Sequence, residues 1–264
     1  VQVVAAGDEA PAASAASIPL TYLGLFDGVR DLFAATGEAR AKGLKKAHFS
    51  FLTPAGRCET CGGTGRLTVG LDHLADVTVP CEACGGSRYA RNVLEARLEG
   101  RTIAEVLDLT AAEGAAAFAG RPRIASALAL LAEIGLDYLR LGQSLDTLSG
   151  GERQRLKLAS ELMDPPKGPA LYLFDEPTTG LHPSDVDRLL TLFAKLLAAG
   201  HTIVAVEHDL DVIARAGHVL DLGPEGGNEG GRIVARGTPA EVAACAASHT
   251  GAALRARPGL SRRP

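Results

Sequence analysis

The sequence predicts an α/β fold in which helices cover a parallel sheet, with a metal-binding module inserted ahead of the sheet. Three observations predict it. Strand-like and helix-like segments alternate after residue 164, an apolar run ends in Asp175 and Glu176, and four of the five cysteines form two C-x-x-C pairs. Alternation of this kind builds parallel sheets flanked by helices. Paired C-x-x-C turns in a chain with no export signal point to metal rather than to disulfides.

Each element has its own signal. Gln2 to Val4 reads as a short strand, followed to residue 18 by an Ala- and Ser-rich linker. Leu25, Val29, Leu32 and Phe33 recur at helical spacing. Ala39 to Arg91 is irregular, Gly-rich and Cys-bearing. Thr102/Glu105, Thr110/Glu113 and Thr238/Glu241 are capping boxes, in which paired side chains satisfy N–H groups at a helix start. Helices are expected over Pro122 to Ile134 and Gly151 to Met163, and from a Ser184 cap through Ala198. Strands are expected at Ala170 to Phe174, Thr202 to Val206, His218 to Leu222 and Arg232 to Val234, with Asp209 capping a short helix. The expected division is 1–38 strand, linker and helix; 39–92 cysteine module; 93–163 helical subdomain; 164–250 α/β core; and 251–264 disordered tail.

Length and composition set bounds. The chain has 264 residues, 46% hydrophobic and 22% charged, as in a soluble globular protein. No apolar run approaches the ~18–20 residues of a membrane span, and no signal peptide opens the chain, so a cytoplasmic location and no membrane partner are expected. Net charge is -4, so any nucleic-acid surface must be local. The chain opens on Val1 and its one methionine is Met163, which reads as a truncated chain. Cys245 stands outside the pairs and reads as a buried apolar thiol.

The chemistry lies in four motifs. Leu171 to Phe174 is apolar and leads into Asp175 and Glu176, at the strand edge where α/β sheets bind ligands. There one carboxylate can hold Mg²⁺ through water and its neighbour can polarise an attacking water; the residues assigned are Asp175 and Glu176 respectively. Upstream, Leu148-Ser149-Gly150-Gly151-Glu152-Arg153-Gln154-Arg155 opens a helix. Its glycines allow close backbone approach to a phosphate, the helix end presents free N–H groups, and Ser149 adds a hydroxyl. Third, Thr202 to Glu207 brings His208 to the end of a core strand, where an imidazole can contact a terminal phosphate and orient water. Taken singly, each has a bland alternative: a strand-to-loop turn, a Ser cap beside glycine, a structural histidine. In this order and spacing they are similar to the signature, Walker B strand and H-loop of an ATP-binding cassette, with Thr178 to His182 at its D-loop position. The expected fold is thus an ABC-type ATPase domain, a parallel-sheet core plus a helical signature subdomain. No G-x-x-x-x-G-K-[ST] loop occurs, so the chain alone is expected to bind ATP poorly.

The fourth motif is Cys58, Cys61, Cys81 and Cys84, with 19 residues, Gly62 to Pro80, between the pairs. Four thiolates close a tetrahedral, structural Zn²⁺ site with no open position; disulfides and an iron–sulfur cluster are the other uses of such cysteines. Leu67, Val69, Leu71, Val77 and Val79 suggest a hairpin between the pairs. Residues 39–91 hold eight Lys/Arg against four acids, an excess suited to DNA phosphates, although any one of these residues also fits a plain solvated face.

The zinc module ahead of L-S-G-G-E-R-Q-R, then D-E-P-T-T-G-L-H and E-H-D-L-D-V-I, resembles the C-terminal half of the UvrA family from about Thr21 to Thr250. Thr21 to Asp27, Arg88-Tyr89, Leu141 to Ser144, Asp221 to Gly227 and Ala247 to Thr250 carry it further. The resemblance implies an ATP-dependent, double-stranded-DNA damage-recognition protein of nucleotide excision repair, using ATP, Mg²⁺ and Zn²⁺. It implies two cassettes in one chain, a dimer with a second copy, and a UvrB-like partner. Ser149, Gly150, Gly151 and Glu152 would close over nucleotide held by the N-terminal cassette half. Asp175, Glu176 and His208 would serve the site whose Walker A loop is missing, with Glu176 and His208 catalytic. Glu9 stands where the family carries a phosphate-sensing Gln. The alternatives are a UvrA-like drug-resistance ATPase and a non-catalytic fragment supplying the signature half-site. A transporter subunit has no place for the zinc insertion.

Overall fold

The computed structural model describes residues 2–5, 16–70, 77–163, 167–225 and 230–257. They form two compact units that part between Gly168 and Pro169, with Val3 grouped in the second unit and Gln2 and Val4 in the first.

After β1 (Gln2–Ala5), the first unit continues with α1 (Pro19–Tyr22), α2 (Phe26–Ala34) and α3 (Gly37–Ala41). α2 buries Phe26, Val29 and Phe33, the spacing that predicts it. An aromatic cluster follows: Phe33 packs on Phe49 at 5.4 Å, Phe26 on Phe51 at 5.6 Å, and Tyr89 meets Phe51 edge-on at 6.2 Å between ring centroids. The Tyr89 hydroxyl donates to the Phe49 carbonyl at 3.1 Å, and burial raises its pKa. The hairpin β2 (Arg66–Val69) and β3 (Val77–Pro80) is antiparallel, with Leu67 opposite Val79. Leu71 and the acids Asp72 and Asp76 lie outside the described residues.

Then come α4 (Ile103–Asp108), α5 (Ala111–Ala117), α6 (Pro122–Glu133) and α7 (Gly150–Met163). The boxes at Thr102/Glu105 and Thr110/Glu113 both form. Gly114 sits inside α5 although glycine weakens a helix by roughly 1 kcal/mol. The reason is contact: a Cβ there would lie 2.9 Å from side-chain atoms of Leu128 and of Leu141.

In the second unit β4 (Ala170–Asp175), α8 (Pro183–Ala198) and β5 (Thr202–Val206) form a crossover. β4 pairs with β5 in parallel, Leu171 opposite Thr202 through Asp175 opposite Val206. Tyr172 and Phe174 face one side of β4, and Phe174 stacks on Phe193 of α8 at 4.8 Å. α8 begins at Pro183, one residue before the expected Ser184 cap. Next follow α9 (Leu210–Ile213), β6 (Val219–Gly223), β7 (Arg232–Gly237), α10 (Pro239–Ala244) and α11 (His249–Ala256).

Two expectations need correction. β6 and β7 pair antiparallel, not as strands of the parallel sheet. The connection from Gly223 to Arg232 is too short for the dozen or more residues of a parallel crossover. The presumed disordered stretch from residue 251 is helical through Ala256; residues 258–264 lie outside the described set. Ser248 caps α11, accepting from the Gly251 N–H at 2.7 Å, and donates to Asp221 Oδ2 at 2.5 Å. Thr250 donates to Asp221 Oδ1 at 2.8 Å. Asp221 thus anchors α11 to β6. Replacing it with Ala should destabilise this unit by about 1–3 kcal/mol, since the buried Ser248 hydroxyl would lose its acceptor. A lower urea midpoint, with loss of amide protection confined first to α11, is the expected readout. Cys245 is only partly buried, its thiol 3.9 Å from the Val234 carbonyl.

Candidate metal centre and nucleotide half-sites

The four paired cysteines converge. Cys58, Cys61 and Cys81 are buried, Cys84 is partly so, and all four Sγ atoms lie within 4.8 Å of one another. The sulfurs are unbonded to each other. Four thiolates ~2.3 Å from one zinc stand ~3.8 Å apart at the corners of a tetrahedron, and Cys61 Sγ and Cys84 Sγ are 3.8 Å apart. The space fits one ion and is too small for a multi-iron cluster.

Local backbone sets this geometry. Gly63 has φ +91°, and a Cβ there would fall 1.9 Å from the Phe51 carbonyl oxygen, so only glycine fits the first knuckle. The Gly65 N–H donates to Cys61 Sγ at 3.3 Å. The Cys58 N–H donates to the Arg88 carbonyl at 2.8 Å, and the Ala90 N–H to the Gly56 carbonyl at 2.9 Å, closing the base of the module. Burial opposes the Cys58 thiolate, but donors from the Cys61 and Thr60 backbone outweigh it and bring that thiol down to about 7. At Cys84 burial dominates and pushes the thiol up to about 11.

Part of the positive excess around the module is consumed by the fold. Lys42 pairs with Glu95, Lys46 with Asp31 at 2.8 Å, and Arg88 lies 5.0 Å over the Phe51 ring while donating to Ser144 Oγ at 3.1 Å. Arg40, Lys45, Arg66 and Arg91 are exposed.

In the same unit the signature residues form the start of α7. The Ser149 N–H donates to Glu152 Oε2 at 2.7 Å, and Ser149 Oγ accepts from the Glu152 N–H at 3.3 Å. This reciprocal cap leaves the Ser149 hydroxyl proton unused by the cap itself, beside Gly150. Glu9 falls outside the described residues.

In the second unit Asp175 ends β4, and Glu176 follows with φ +44°, a left-handed conformation uncommon outside glycine. The turn is held: the Glu176 N–H donates to the Val206 carbonyl at 2.9 Å, extending the β4–β5 ladder, and its carbonyl accepts from the Thr179 N–H at 3.0 Å. Glu176 Oε1 lies 3.2 Å from His208 Nε2, and Oε2 accepts from Thr179 Oγ1 at 3.1 Å. Both side chains reach solvent, His208 79% exposed and Glu176 49%.

Sequence reasoning assigned no role to Glu207. Its carboxylate accepts from the Thr178 N–H at 3.0 Å, Thr178 Oγ1 at 2.9 Å, the His208 N–H at 3.0 Å and the Asp209 N–H at 3.3 Å. Glu207 therefore ties the turn after β4 to the turn after β5. A carboxylate directly before the strand-end histidine, where it meets several free backbone N–H groups, was the available signal.

A family model described as ABC transporter matches residues 88–179. The UvrABC system protein A of Halalkalibacterium halodurans is 50% identical over 239 residues, 90% of this chain and 25% of that protein. The corresponding protein of Methanothermobacter thermautotrophicus is 52% identical over 239 residues, again 90% of this chain and 25% of its own length. The chain is homologous to UvrA. It spans about a quarter of the length of the curated UvrA proteins it matches. Among solved structures, the crystal structure of UvrA2 from Deinococcus radiodurans matches with a TM-score of 0.91 and 48% identity, covering 97% of this chain and 31% of that one. The fold is that of an ABC-type ATPase, and the four-cysteine cluster is compatible with zinc. No helix among the described residues is long and apolar enough to cross a membrane.

Proposed function

We propose that this chain is part of an ATP-dependent DNA-binding protein of UvrA type acting in nucleotide excision repair. An ABC-type fold with two candidate half-sites and a cluster of four cysteines suited to one metal ion support the reading. The observation that carries it is their coexistence in a chain 50% identical to UvrA, because a transporter cassette needs the half-sites but not the metal knot.

On this reading Glu176 accepts a proton from the water that attacks the terminal phosphate of ATP. His208, within hydrogen-bonding distance of Glu176, orients that water. Asp175 holds Mg²⁺ through water, and the ion, when bound, neutralises phosphate charge. Ser149, Gly150, Gly151 and Glu152 serve nucleotide presented by another cassette. Cys58, Cys61, Cys81 and Cys84 hold zinc, which fixes the hairpin and nearby basic residues as a surface for duplex DNA. The remaining cassette half, a second copy and a UvrB-like protein are the proposed partners.

The test is duplex binding against salt. Four exposed basic residues, if all reach phosphates, give a log–log slope of up to about −4, and Arg66→Glu with Arg91→Glu should weaken binding and flatten that slope by roughly 2. Affinity that ignores both salt and these substitutions would exclude this surface.

A further inference from the structure

The signature cap has a support that its motif does not contain. The Tyr138 hydroxyl donates to Glu152 Oε1 at 2.6 Å, while the other carboxylate oxygen, Oε2, holds the Ser149 N–H at 2.7 Å. We propose that Tyr138 is a positioning residue for the nucleotide-facing signature loop: through Glu152 it fixes the orientation of Ser149 and the free N–H groups at the start of α7. The role in turnover rests on the ATPase reading above; the hydrogen-bond relay does not.

The Tyr138 backbone is itself held firmly. Leu136, Leu139 and Leu141 around it are fully buried. The carbonyls of Asp137 and Leu139 accept from the first N–H groups of α5, from Ala112 at 3.1 Å and Ala111 at 2.8 Å. The phenol is therefore a strut between a rigid part of the helical subdomain and the one turn of α7 that faces nucleotide. Ser149 Oγ spends a lone pair on the Glu152 N–H, so its O–H stays free of the cap, as a phosphate donor must be.

Electrostatics suit a one-way relay. Burial and the Glu152 carboxylate outweigh Arg155 and push the Tyr138 phenol up to about 12, so near neutral pH it keeps its proton and donates it to Glu152. Burial alone would raise the Glu152 carboxyl; donors from Tyr138 and Ser149 and the charge of Arg155 outweigh it and leave it lowered. Arg155, 4% exposed one turn along α7, acts on both members of the pair: its charge favours the Glu152 carboxylate and its side chain hydrogen-bonds the Tyr138 phenol. A lowered carboxyl keeps the relay intact at neutral pH; it is lost as pH falls through that lowered value.

The experiment is amide exchange across Ser149–Arg153 in this chain, for the wild type, Tyr138→Phe and Glu152→Gln. Tyr138→Phe should speed exchange of the Ser149 amide by about fivefold, the effect of one hydrogen bond. It should also move the acid loss of protection to higher pH, a shift that a purely packing role for the ring would not produce. Glu152→Gln keeps an acceptor but removes the charge, so it should abolish the acid transition. In a UvrA-type protein carrying this sequence with a phosphate loop, Tyr138→Phe should lower kcat about fivefold and leave KM for ATP within twofold, since the signature acts on closure and not on first capture. Unchanged Ser149 exchange in Tyr138→Phe overturns the proposal, as does faster exchange with unaltered kcat. If the unsubstituted protein turns over no ATP, the ATPase reading fails, and exchange alone decides whether Tyr138 holds the loop.

Discussion

Cys81→Ser is expected to strip the chain of metal. Purified wild-type chain should carry about one zinc per molecule by elemental analysis, and the variant close to none. Cys81 is the most buried of the four ligands, and its N–H donates to the Gly65 carbonyl at 2.9 Å, so a serine there can neither ligate well nor withdraw to solvent. A structural four-thiolate zinc contributes folding energy outright. Without it a small hairpin remains, with Val77 and Val79 exposed and, among the described residues, Leu67 as its one hydrophobic side chain packed against the cysteines. Such a hairpin does not hold its shape unaided. The module should therefore lose amide protection across residues 56–90, and chelation of the wild type should reproduce the loss. Binding should also release protons, because the Cys84 thiol, raised to about 11, is protonated until an ion arrives. Full folding of the metal-free variant would show that the cysteines are ordinary core thiols. Retained iron with a visible absorption band in the wild type would instead put iron, not zinc, at the site.

The contrast between this module and the rest of the chain shows what a sequence makes legible. The cysteine pairs, the capping boxes and the β4–α8–β5 crossover were readable because each rests on local chemistry: ligand spacing, a Thr–Glu pair three residues apart, a period of two followed by a period of 3.6. Antiparallel pairing of β6 with β7 was not, because strand periodicity carries no direction. Only the length of the intervening connection constrains it. The helix α11 was missed because its apolar face is weak; it is anchored by Asp221, 27 residues before Ser248. The basic stretch was overcounted for a related reason. Composition counts Lys42, Lys46 and Arg88 as surface charge, while the fold engages them with Glu95, Asp31, Ser144 and the Phe51 ring. Tyr138 escaped notice because its partner, Glu152, lies 14 residues away and outside any repeat.

Glu176→Gln should abolish ATP turnover in a UvrA-type protein carrying this sequence with a phosphate loop, lowering kcat by at least about 100-fold, within the range a positioned general base contributes. Nucleotide binding should survive, because the substitution keeps the side-chain shape and leaves Asp175 in place. As the proposed base, Glu176 differs from an acid that only holds the fold. A carboxylate needed only for the fold would be tied up by backbone donors, as Glu207 is by the N–H groups of Thr178, His208 and Asp209. Glu176 instead extends from a left-handed turn at the end of β4 toward His208, half exposed, with an imidazole 3.2 Å away. Holding a non-glycine residue at φ +44° costs of order 1–3 kcal/mol, and such strain tends to cluster at working sites. His208→Ala should fall between wild type and Glu176→Gln, since an imidazole that orients water contributes less than the group that takes its proton. Glu207→Gln separates the two classes. Weakening the shared anchor of both turns should lower the thermal midpoint, whereas Glu176→Gln should leave that midpoint unchanged or raise it. The 264-residue chain assayed alone should show no turnover above background, because no phosphate loop lies within it. Rapid hydrolysis by that chain, or a Glu176→Gln protein with normal kcat, would remove Glu176 from the chemistry and leave the ABC fold as the only part of the ATPase reading still standing.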